Sequence, residues 1–416
     1  MALRFAMLTT FYPPYNFGGD GMGVQRLSQA LVRRGHHVTV IHDADAYLTL
    51  AGREPTVPPA QDGVEVVTLR SRAGRLSNLL TQQTGTPVVH GKTIRRVLEA
   101  GHFDVTVFHN ISLVGGPGIL DYGRGTTLYM AHEHWLVCPS HVLWRHNREL
   151  CTGRECLRCV LNYHRPPQLW RYTGYLEERL PLVHEFIAMS EFSRAKHHEF
   201  GFPRDMSVVP YFLPDRAAAS AVAADTAPHD RPYFLFVGRL EKIKGLDDVI
   251  PVFGHFERAD LLVAGDGDYA ETLRTLAAGN ARVRFLGRLA PDDLARYYRH
   301  AAALLVPSVC FETFGIIIIE AFRQGTPVVA RRIGPFPEII DRAGAGDLFD
   351  TPVELEAALH RYLDEPERRA RLSDAAVKAF DANWSESAVL PRFMDVVAAA
   401  AARRRESSAS PPPVRL

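Results

Sequence analysis

Two carboxylates flank an unusually apolar segment, "CFETFGIIIIE" (310–320), in which Glu312 and Glu320 lie on either side of four consecutive isoleucines. Isoleucine favours strands, so a buried strand with two incidental glutamates is one interpretation. The segment continues as "AFRQGTP", however, and this glycine and proline are typical of a helix end. The flanking stretches read as strands, and parallel strands are joined by helices. We therefore predict a buried helix over about 315–324, with Glu312 in the preceding loop.

The beginning of this helix is suited to binding phosphate. The backbone N–H groups of Phe314, Gly315 and Ile316 form its positive end. Gly315 has no Cβ, which permits close approach by a ligand. Glu320 lies roughly 7.5 Å further along the axis, and its side chain leans back toward the helix start. We predict that the amides bind a diphosphate, that Glu320 binds ribose hydroxyls, and that Glu312 contacts the group beyond the phosphates.

Lysine is scarce: the chain has five lysines among 48 basic residues, and two of the five are Lys242 and Lys244. The segment "FVGRLEKIKG" (236–245) places Arg239 and Lys244 after a predicted strand and before a predicted helix. Two cations and a helix N-terminus at one place suit a diphosphate. Ordinary surface charges are the alternative. The strand–loop–helix context favours phosphate binding by Arg239 and Lys244, whereas Lys242 has no such support and is read as solvated.

A second set of residues has the composition of a metal site. Cys138, Cys151, Cys156 and Cys159 are four of the five cysteines and lie within "CPSHVLWRHNRELCTGRECLRC". The spacing C-x4-C-x2-C with one cysteine upstream predicts four thiolate ligands, most simply around a structural zinc ion. An iron–sulfur cluster and four reduced thiols are the alternatives. The fifth cysteine, Cys310, is predicted to be a buried thiol.

Strands and helices alternate along both halves of the chain, which predicts parallel sheets covered by helices on both faces. In the first half, a glycine-rich loop leads into a helix predicted from Val24; in the second, "GLDDVIPVF" (245–253) is predicted as one helix. The stretch 216–232, rich in alanine, aspartate and proline, reads as a linker. We predict the α/β class, with two doubly wound Rossmann-like domains facing each other across a cleft. Ligands of such folds bind at the carboxyl ends of strands.

The predicted domain boundaries follow from these patterns. They are 1–212 for a first Rossmann-like domain with a cysteine-rich insertion at about 136–165, 213–382 for a second Rossmann-like domain, 383–403 for a helix interrupted by Pro391, and 404–416 for a disordered tail.

Composition narrows the functional classes. Of the 416 residues, 46% are hydrophobic and 23% are charged, which is typical of a globular protein. The net charge of +1 argues against a nucleic-acid partner bound through a broad basic field. The apolar run at the amino terminus is too short for a signal peptide, and no later stretch is long enough to span a bilayer. We expect a cytoplasmic protein, with peripheral contact at the inner membrane face left open.

Several segments together resemble one known family. The E-x7-E pattern in "ETFGIIIIEAFRQGTPVVA" resembles the signature of the retaining glycosyltransferases of family 4, which have the GT-B fold. "FVGRLEKIKGLDDVI", "LLVAGDGDYAETL" and "VRFLGRL" are similar to the family's diphosphate-binding segment and following strands. "FYPPYNFGGDGMGVQRLSQALVRRGHHVTV" is similar to its amino-terminal Gly-Gly loop and first helix. The similarity spans most of residues 1–400 in order.

The resemblance implies that domain 1–212 binds the acceptor and that domain 213–382 binds the nucleotide sugar. The donor is a nucleoside-diphosphate sugar, UDP or GDP type, and no catalytic metal is required. The catalytic residues implied are His132, Glu312, Arg239 and Lys244. The donor-binding residues implied are Gly18 and Gly19 from the opposite domain, Arg239 and Lys244 at the phosphates, Leu286, Gly287 and Arg288 beside the base, Thr313, Phe314, Gly315 and Ile316 through their backbone, and Glu320 at the ribose.

The resemblance also places acceptor-side residues at a strand end. His132 in "YMAHEHW" matches a histidine of the family, whereas Glu133 stands where an aspartate is more common. His109 and Asn110 are further candidates, and Asp20 either contacts the acceptor or caps the helix that follows. In relatives the last helix is similarly kinked and returns to the first domain.

The implied reaction is same-face transfer of the sugar to an acceptor hydroxyl, assisted by the leaving phosphate and completed by domain closure. The acceptor is a glycan, lipid-linked sugar or small molecule. Asp-x-Asp, a metal–diphosphate motif of other glycosyltransferases, occurs at 43–45 and 266–268, and the second occurrence reads as a turn. A GT-B nucleotide-sugar epimerase and a non-catalytic nucleotide-sugar-binding protein are the alternative functions.

Overall fold

The computed structural model describes residues 2–56, 62–216 and 226–409. The chain divides into two compact units. The first contains the residues up to Pro210 together with those from Val389 onward, and the second is Tyr211–Ala388.

The first unit is built on a seven-stranded, all-parallel sheet. The strands of this unit are β1 (Arg4–Thr9), β2 (His37–Asp43), β3 (Glu65–Leu69), β4 (Val105–Phe108), β5 (Thr126–Ala131), β6 (Trp144–Arg145), β7 (Glu149–Leu150), β8 (Glu185–Ala188) and β9 (Met206–Val208). The sheet order is β3-β2-β1-β4-β5-β8-β9, while β6 and β7 form a separate antiparallel hairpin. Every residue of β4 and β5 is buried, as expected for a parallel sheet covered on both faces. The helices are α1 (Gly19–Arg33), α2 (Ala44–Ala51), α3 (Gly74–Thr84), α4 (Gly91–Ala100), α5 (Cys156–Asn162) and α6 (Glu191–Glu199).

The second unit has a six-stranded, all-parallel sheet of order β12-β11-β10-β13-β14-β15. Its strands are β10 (Tyr233–Val237), β11 (Asp260–Ala264), β12 (Val283–Gly287), β13 (Leu304–Val306), β14 (Val328–Arg331) and β15 (Gly346–Phe349). Its helices are α7 (Leu246–Val249), α8 (Ala270–Leu276), α9 (Pro291–His300), α10 (Ile316–Arg323), α11 (Phe336–Ala343), α12 (Pro352–Asp364) and α13 (Pro366–Asn383). The last helix of the chain is α14 (Glu386–Ala409).

Both sheets reverse their strand order beside their first strand. The reversal lies between β1 and β4 in the first unit and between β10 and β13 in the second. Loops that leave adjacent strands in opposite directions open a crevice at the carboxyl edge, which is where ligands bind in doubly wound folds. The fold therefore indicates one candidate ligand-binding edge in each unit.

Helix α1 begins five residues earlier than the predicted start at Val24, so the glycine-rich segment is largely helical rather than a loop. Gly18 is the extended N-cap, and the Asn16 amide donates to its carbonyl at 2.7 Å. A Cβ on Gly21 would lie 2.5 Å from the Asn16 side chain. Gly21 therefore permits close packing of the helix start against the preceding loop.

Three other boundaries also differ from expectation. The predicted helix 245–253 is two short pieces, α7 and a 3-10 turn at Val252–Gly254, because Pro251 lacks the N–H that would continue the first. Residues 404–409, predicted to be disordered, belong to α14, which continues through Ala409 on alanine and arginine, both strong helix formers. The linker is shorter than predicted, because His229 and Arg231 bind the buried carboxylate of Asp260; its residues 217–225 and tail residues 410–416 lie outside the described residues.

Candidate active site

Two loops run side by side at the strand-order reversal of the second sheet. One follows β10 and the other follows β13, and Val309 N–H donates to the Ile243 carbonyl at 2.9 Å between them. Gly245 has a φ of +74°, and a Cβ there would lie 2.1 Å from the Pro307 carbonyl oxygen. Only glycine permits this approach. The geometry brings together side chains that are nearly 70 residues apart in the chain.

Lys244 and Glu312 form an ion pair across these loops. Lys244 Nζ lies 2.5 Å from Glu312 Oε1, which also accepts from Ser308 Oγ at 3.2 Å. Burial acts to lower the pKa of Lys244, but the adjacent Glu312 carboxylate outweighs it and holds the pKa above its ordinary value. The ammonium is therefore charged at neutral pH. The two side chains remain 24% and 25% exposed, so a ligand can reach both.

Arg239 lies on the same loop but has a different partner. Its guanidinium is 49% exposed and pairs with Glu241 Oε1 at 2.9 Å. Lys242 is exposed. The structure thus places Arg239 and Lys244 on one strand-end loop, with Arg239 open to solvent and Lys244 held by Glu312.

The isoleucine segment forms α10, close to the predicted bounds. Its N-cap, Gly315, has a φ of +126°, and a Cβ there would lie 3.0 Å from the Phe336 ring. Backbone conformation and packing thus account for this glycine, independently of any ligand. Ile318 and Ile319 are fully buried, whereas Ile316 is only half-buried. The first N–H groups of α10 have no acceptor within the helix and can bind an anion.

Glu320 lies one turn into α10 beside a buried tyrosine. The Tyr298 hydroxyl, on α9, lies 3.3 Å from Glu320 Oε2. Tyr298 is 2% exposed and its carbonyl accepts from Thr326 Oγ1 at 2.6 Å, so the tyrosine is firmly placed. Thr313 and the buried Phe314 lie immediately before the helix.

The loops that follow β10, β11 and β12 are joined by backbone hydrogen bonds. Gly238 N–H donates to the Ala264 carbonyl at 3.1 Å, and Gly265 N–H donates to the Gly287 carbonyl at 2.7 Å. Gly287 has a φ of +68° with open space where a Cβ would lie, and Arg288 beside it is exposed. The predicted base-side residues therefore lie at the same sheet edge as the β10 loop.

A histidine pair occupies the strand-order reversal of the first sheet. His109 Nδ1, after β4, lies 2.8 Å from His132 Nε2, after β5, and the two rings stack with centroids 5.1 Å apart. Burial lowers the pKa of His132 to about 3. Burial, and next the neighbouring imidazole, hold the pKa of His109 well below its ordinary value. Both rings are thus neutral at physiological pH, and one donates to the other.

Two carboxylates lie near this pair. Asp20, in the first turn of α1, accepts from the Asn110 amide at 3.3 Å, and Glu133 Oε2 lies 2.6 Å from His141 Nδ1. Burial, and next the charge of Glu133, raise the pKa of Asp20. Asp20 and Asn110 therefore belong to one polar cluster at this edge. Gly18 and Gly19 precede Asp20 at the start of α1, with Gly19 exposed.

Comparison with known families agrees with this geometry. The family described as "Glycosyltransferase Family 4" matches residues 17–214, and "Glycosyl transferases group 1" matches 221–379. An uncharacterized glycosyltransferase of Methanocaldococcus jannaschii is 39% identical over 364 residues, covering 81% of this chain and 83% of the relative. The chain belongs to the family 4 glycosyltransferases.

Other similarities support this glycosyltransferase assignment and its fold. The phosphatidyl-myo-inositol mannosyltransferase of Mycobacterium tuberculosis is 27% identical over 408 residues, covering 89% of this chain and 92% of the relative. Sucrose-phosphate synthase from Thermosynechococcus elongatus superposes with a TM-score of 0.73 at 20% identity, covering 98% of this chain and all of that one. The predicted GT-B fold, with two Rossmann-like domains, is confirmed.

The four clustered cysteines of this glycosyltransferase line one small pocket in the first unit. Neither they nor Cys310 form disulfides. Burial is the first cause that raises the pKa of Cys151, Cys156 and Cys159, and the neighbouring sulfurs add to it. Without a cation these groups are therefore neutral thiols. Cys310 is buried, as predicted.

Both Asp-x-Asp segments of the enzyme have partners within the protein. Asp45 accepts from Ser71 N–H and Ser71 Oγ at 2.9 and 2.8 Å and lies 2.9 Å from His90 Nε2. Asp43 caps α2. Asp266 Oδ1 accepts from Gly267 N–H at 2.9 Å, which is turn geometry. Asp43, Asp45 and His90 lie close enough to hold a cation, yet the contacts of Asp45 already account for its burial.

The sequence analysis did not identify three side chains that contact candidate site residues. Ser308, Tyr298 and His141 contact Glu312, Glu320 and Glu133, respectively. Each is a common residue type in an ordinary element, and its role comes from a tertiary contact. No sequence motif identified these three residues.

None of the helices in residues 2–56, 62–216 and 226–409 combines the length and the hydropathy needed to span a bilayer.

Proposed function

We propose that this glycosyltransferase moves a sugar from a nucleoside-diphosphate sugar to an acceptor hydroxyl with retention of anomeric configuration. The observation that carries the proposal is the Lys244–Glu312 pair, exposed at the edge of the second sheet and beside the start of α10. A cation and helix N–H groups suit a diphosphate, while a carboxylate suits the hydroxyls of a sugar. The second unit is thus assigned the donor.

The proposed step breaks the bond between sugar C1 and the β-phosphate oxygen and forms a bond between C1 and the acceptor oxygen. The acceptor's proton passes to the leaving phosphate, so no protein nucleophile is needed. Lys244, Arg239 and the first amides of α10 stabilise the charge that develops on the phosphate. Glu312 orients the sugar hydroxyls.

The rest of the donor is assigned to neighbouring residues. Glu320, placed by Tyr298, binds the ribose, and Gly287 and Arg288 flank the base. Solved structures of the Anabaena protein HepE contain UDP and UDP-glucose, and the UDP-glucose complex superposes with a TM-score of 0.66 at 16% identity. UDP is therefore the first nucleotide to test and GDP the second.

The acceptor is assigned to the first unit. The neutral His109–His132 pair can accept or donate a hydrogen bond, and Asp20 and Glu133 offer carboxylates to further hydroxyls. Gly18 and Gly19 are proposed to contact the donor diphosphate through their backbone. Relatives named glycogen synthase and phosphatidyl-myo-inositol mannosyltransferase make glycans and lipid-linked sugars the acceptor classes to screen.

Transfer is proposed to be metal-independent and to occur in the cytoplasm. Lys244 and Arg239 supply the positive charge that a divalent cation supplies elsewhere. In the first Asp-x-Asp segment, Asp45 is held by Ser71, and in the second, Asp266 accepts from the next residue's N–H in a turn. The unpaired cysteines suit a reducing compartment. A lipid-linked acceptor would add peripheral membrane contact.

The test combines binding and product analysis. Thermal stabilisation by UDP, GDP and their sugars identifies the donor, since a ligand of the folded state raises the melting temperature. Transfer to screened acceptors is then followed by NMR of the product, and we expect the donor's anomeric configuration with undiminished rate in EDTA. An inverted product contradicts the mechanism. Donor turnover without acceptor indicates an epimerase, and binding without any turnover a non-catalytic protein.

A further inference from the structure

The cysteine-rich segment folds as a distinct module, defined here as residues 138–164. Cys138 precedes the β6–β7 hairpin, Cys151 follows it, and Cys156 and Cys159 lie in the first turn of α5. Residues three apart share one face of a helix, so these last two thiols point to the same side. All four cysteines line one pocket, closed at one wall by Trp144.

The backbone of the cysteine module is strained. Among the described residues, six that are not glycine have positive φ, and five of the six lie here: His141, Leu143, His146, Asn147 and His164. Such conformations are uncommon for residues with a Cβ and persist only where the surrounding structure enforces them. The module therefore requires a strong local constraint.

Hydrophobic packing supplies little of that constraint. Leu143, Trp144 and Val160 are the larger buried apolar side chains of the module, whereas Leu157 and Leu161 of α5 are 48% and 54% exposed. Segments too small to build a core are usually held by disulfides or a metal. The four thiols form no disulfide.

Arg171 is a cation that lies within electrostatic reach of Cys138 and Cys156. Arg171 lies over the rings of Trp135 and Trp170 and donates to the Gln168 side chain and the Trp135 carbonyl. No carboxylate pairs with Arg171 within the described part of the chain. A four-thiolate zinc centre carries two negative charges and would supply the missing counter-charge.

We propose that Cys138, Cys151, Cys156 and Cys159 bind one structural zinc ion. Four thiolates complete a tetrahedral zinc site and leave no open position for catalysis. The His146 N–H donates to Cys159 Sγ at 3.2 Å, a contact that supports metal-bound thiolates. Within the described residues, no three of the four cysteine sulfurs lie within 4.8 Å of one another, whereas ligand atoms of Asp43, Asp45 and His90 do. Zinc–sulfur distances of about 2.3 Å therefore require the four cysteine side chains to move closer together on metal binding.

The zinc ion would fix a loop that carries site residues. Cys138 N–H donates to the His134 carbonyl at 2.8 Å, and His141 N–H donates to the Cys138 carbonyl at 3.0 Å. His141 in turn holds Glu133 at 2.6 Å. Metal binding at Cys138 therefore restrains the turn on which Glu133 is placed. The zinc site itself does not depend on the proposed transfer reaction.

Metal analysis of the purified full chain tests the proposal. We expect about one zinc per chain after dialysis, lost in Cys156→Ser and Cys159→Ser and retained in Cys310→Ser, the matched control outside the module. Zinc that persists in the module variants overturns the proposal and points to Asp43, Asp45 and His90. A folded wild-type protein that neither contains zinc nor binds added Zn²⁺ also overturns it, as does iron with acid-labile sulfide.

A second measurement remains decisive if the serine variants do not fold. Wild-type protein is titrated with a mercurial thiol reagent in the presence of a chromogenic zinc indicator, and zinc release should track modification of four thiols. Refolding with Co²⁺ should give intense sulfur-to-cobalt charge-transfer absorption. Zinc release that is unrelated to thiol modification, or cobalt spectra without that absorption, contradicts the proposal.

Discussion

The side chains at the two strand-order reversals of this glycosyltransferase differ in charge. In the second unit, Lys244 and Glu312 form a charged pair that remains a quarter exposed. In the first, His109 and His132 form a buried pair that is neutral at physiological pH. A fixed charge suits the binding of an anionic diphosphate, whereas neutral polar groups suit a hydroxyl-bearing acceptor. The same fold thus offers two different chemical surfaces at equivalent positions.

Lys244→Ala is the strongest test of the role proposed for the charged Lys244–Glu312 pair. We expect a loss of about 100-fold or more in transfer rate, because one preorganised donor to a developing charge is worth that much in other enzymes. Lys242→Ala is the matched control, since Lys242 is exposed two residues away. Transfer is measured at saturating acceptor, with circular dichroism to verify folding. Equal rates for the two variants would remove Lys244 from the site.

The pH dependence of the free energy of unfolding tests whether the buried His109–His132 pair is neutral. Burial holds the folded-state pKa of His132 at about 3, below the value of about 6.5 in an unfolded chain. Below pH 6.5 the unfolded state binds more protons, so stability falls as pH decreases toward 3, by about tenfold in the unfolding equilibrium per pH unit for one such site.

Hydrogen exchange of the β4 and β5 amides at pH 7.5, 6.5 and 5.5 checks this expectation. His132→Gln should lose part of the pH dependence, whereas His198→Gln, which changes an exposed histidine of the same unit, should retain it. Exchange must be corrected for its intrinsic pH dependence. An unchanged profile in His132→Gln would show that the ring is not buried as a neutral group.

Glu320→Gln should weaken the binding of the nucleotide by about tenfold, because a hydrogen bond to a charged group contributes about 1.5–3 kcal/mol and tenfold corresponds to about 1.4 kcal/mol. Glu271→Gln is the control, since its side chain is 86% exposed on α8. Isothermal titration with the nucleotide identified above measures the change. Identical affinities would contradict the ribose assignment.

The smallest effect is expected from Tyr298→Phe, which removes the hydroxyl that contacts Glu320. The contact is 3.3 Å long, which is weak for an O–H···O hydrogen bond, and it would affect the nucleotide only through the position of Glu320, so we expect about threefold weaker nucleotide binding. If Tyr298 acts by placing Glu320, the double variant Tyr298→Phe, Glu320→Gln should bind no more weakly than Glu320→Gln alone. Additive losses would show that the tyrosine acts independently.

Local patterns predicted the fold well. The alternation of strands and helices gives two parallel sheets as expected, and the helix predicted at about 315–324 runs over Ile316–Arg323. Errors arose where context overrides pattern. The segment before Val24 is helical from Gly19, where Gly21 packs closely against Asn16, and "GLDDVIPVF" is interrupted at Pro251. The spacing of apolar residues does not reveal close backbone packing at a glycine, and it gives too little weight to the missing N–H of a proline.

The site divides in the same way. Sequence patterns were enough to place Lys244 after β10, His132 after β5 and the carboxylates around the isoleucines. Alternating strands and helices bring such strand ends to one sheet edge. Which of these side chains meet became known from the three-dimensional structure. The pairing of Lys244 with Glu312, of His109 with His132 and of Glu320 with Tyr298 depends on strand order and on the approach of loops, and both are set by packing between segments far apart in the chain.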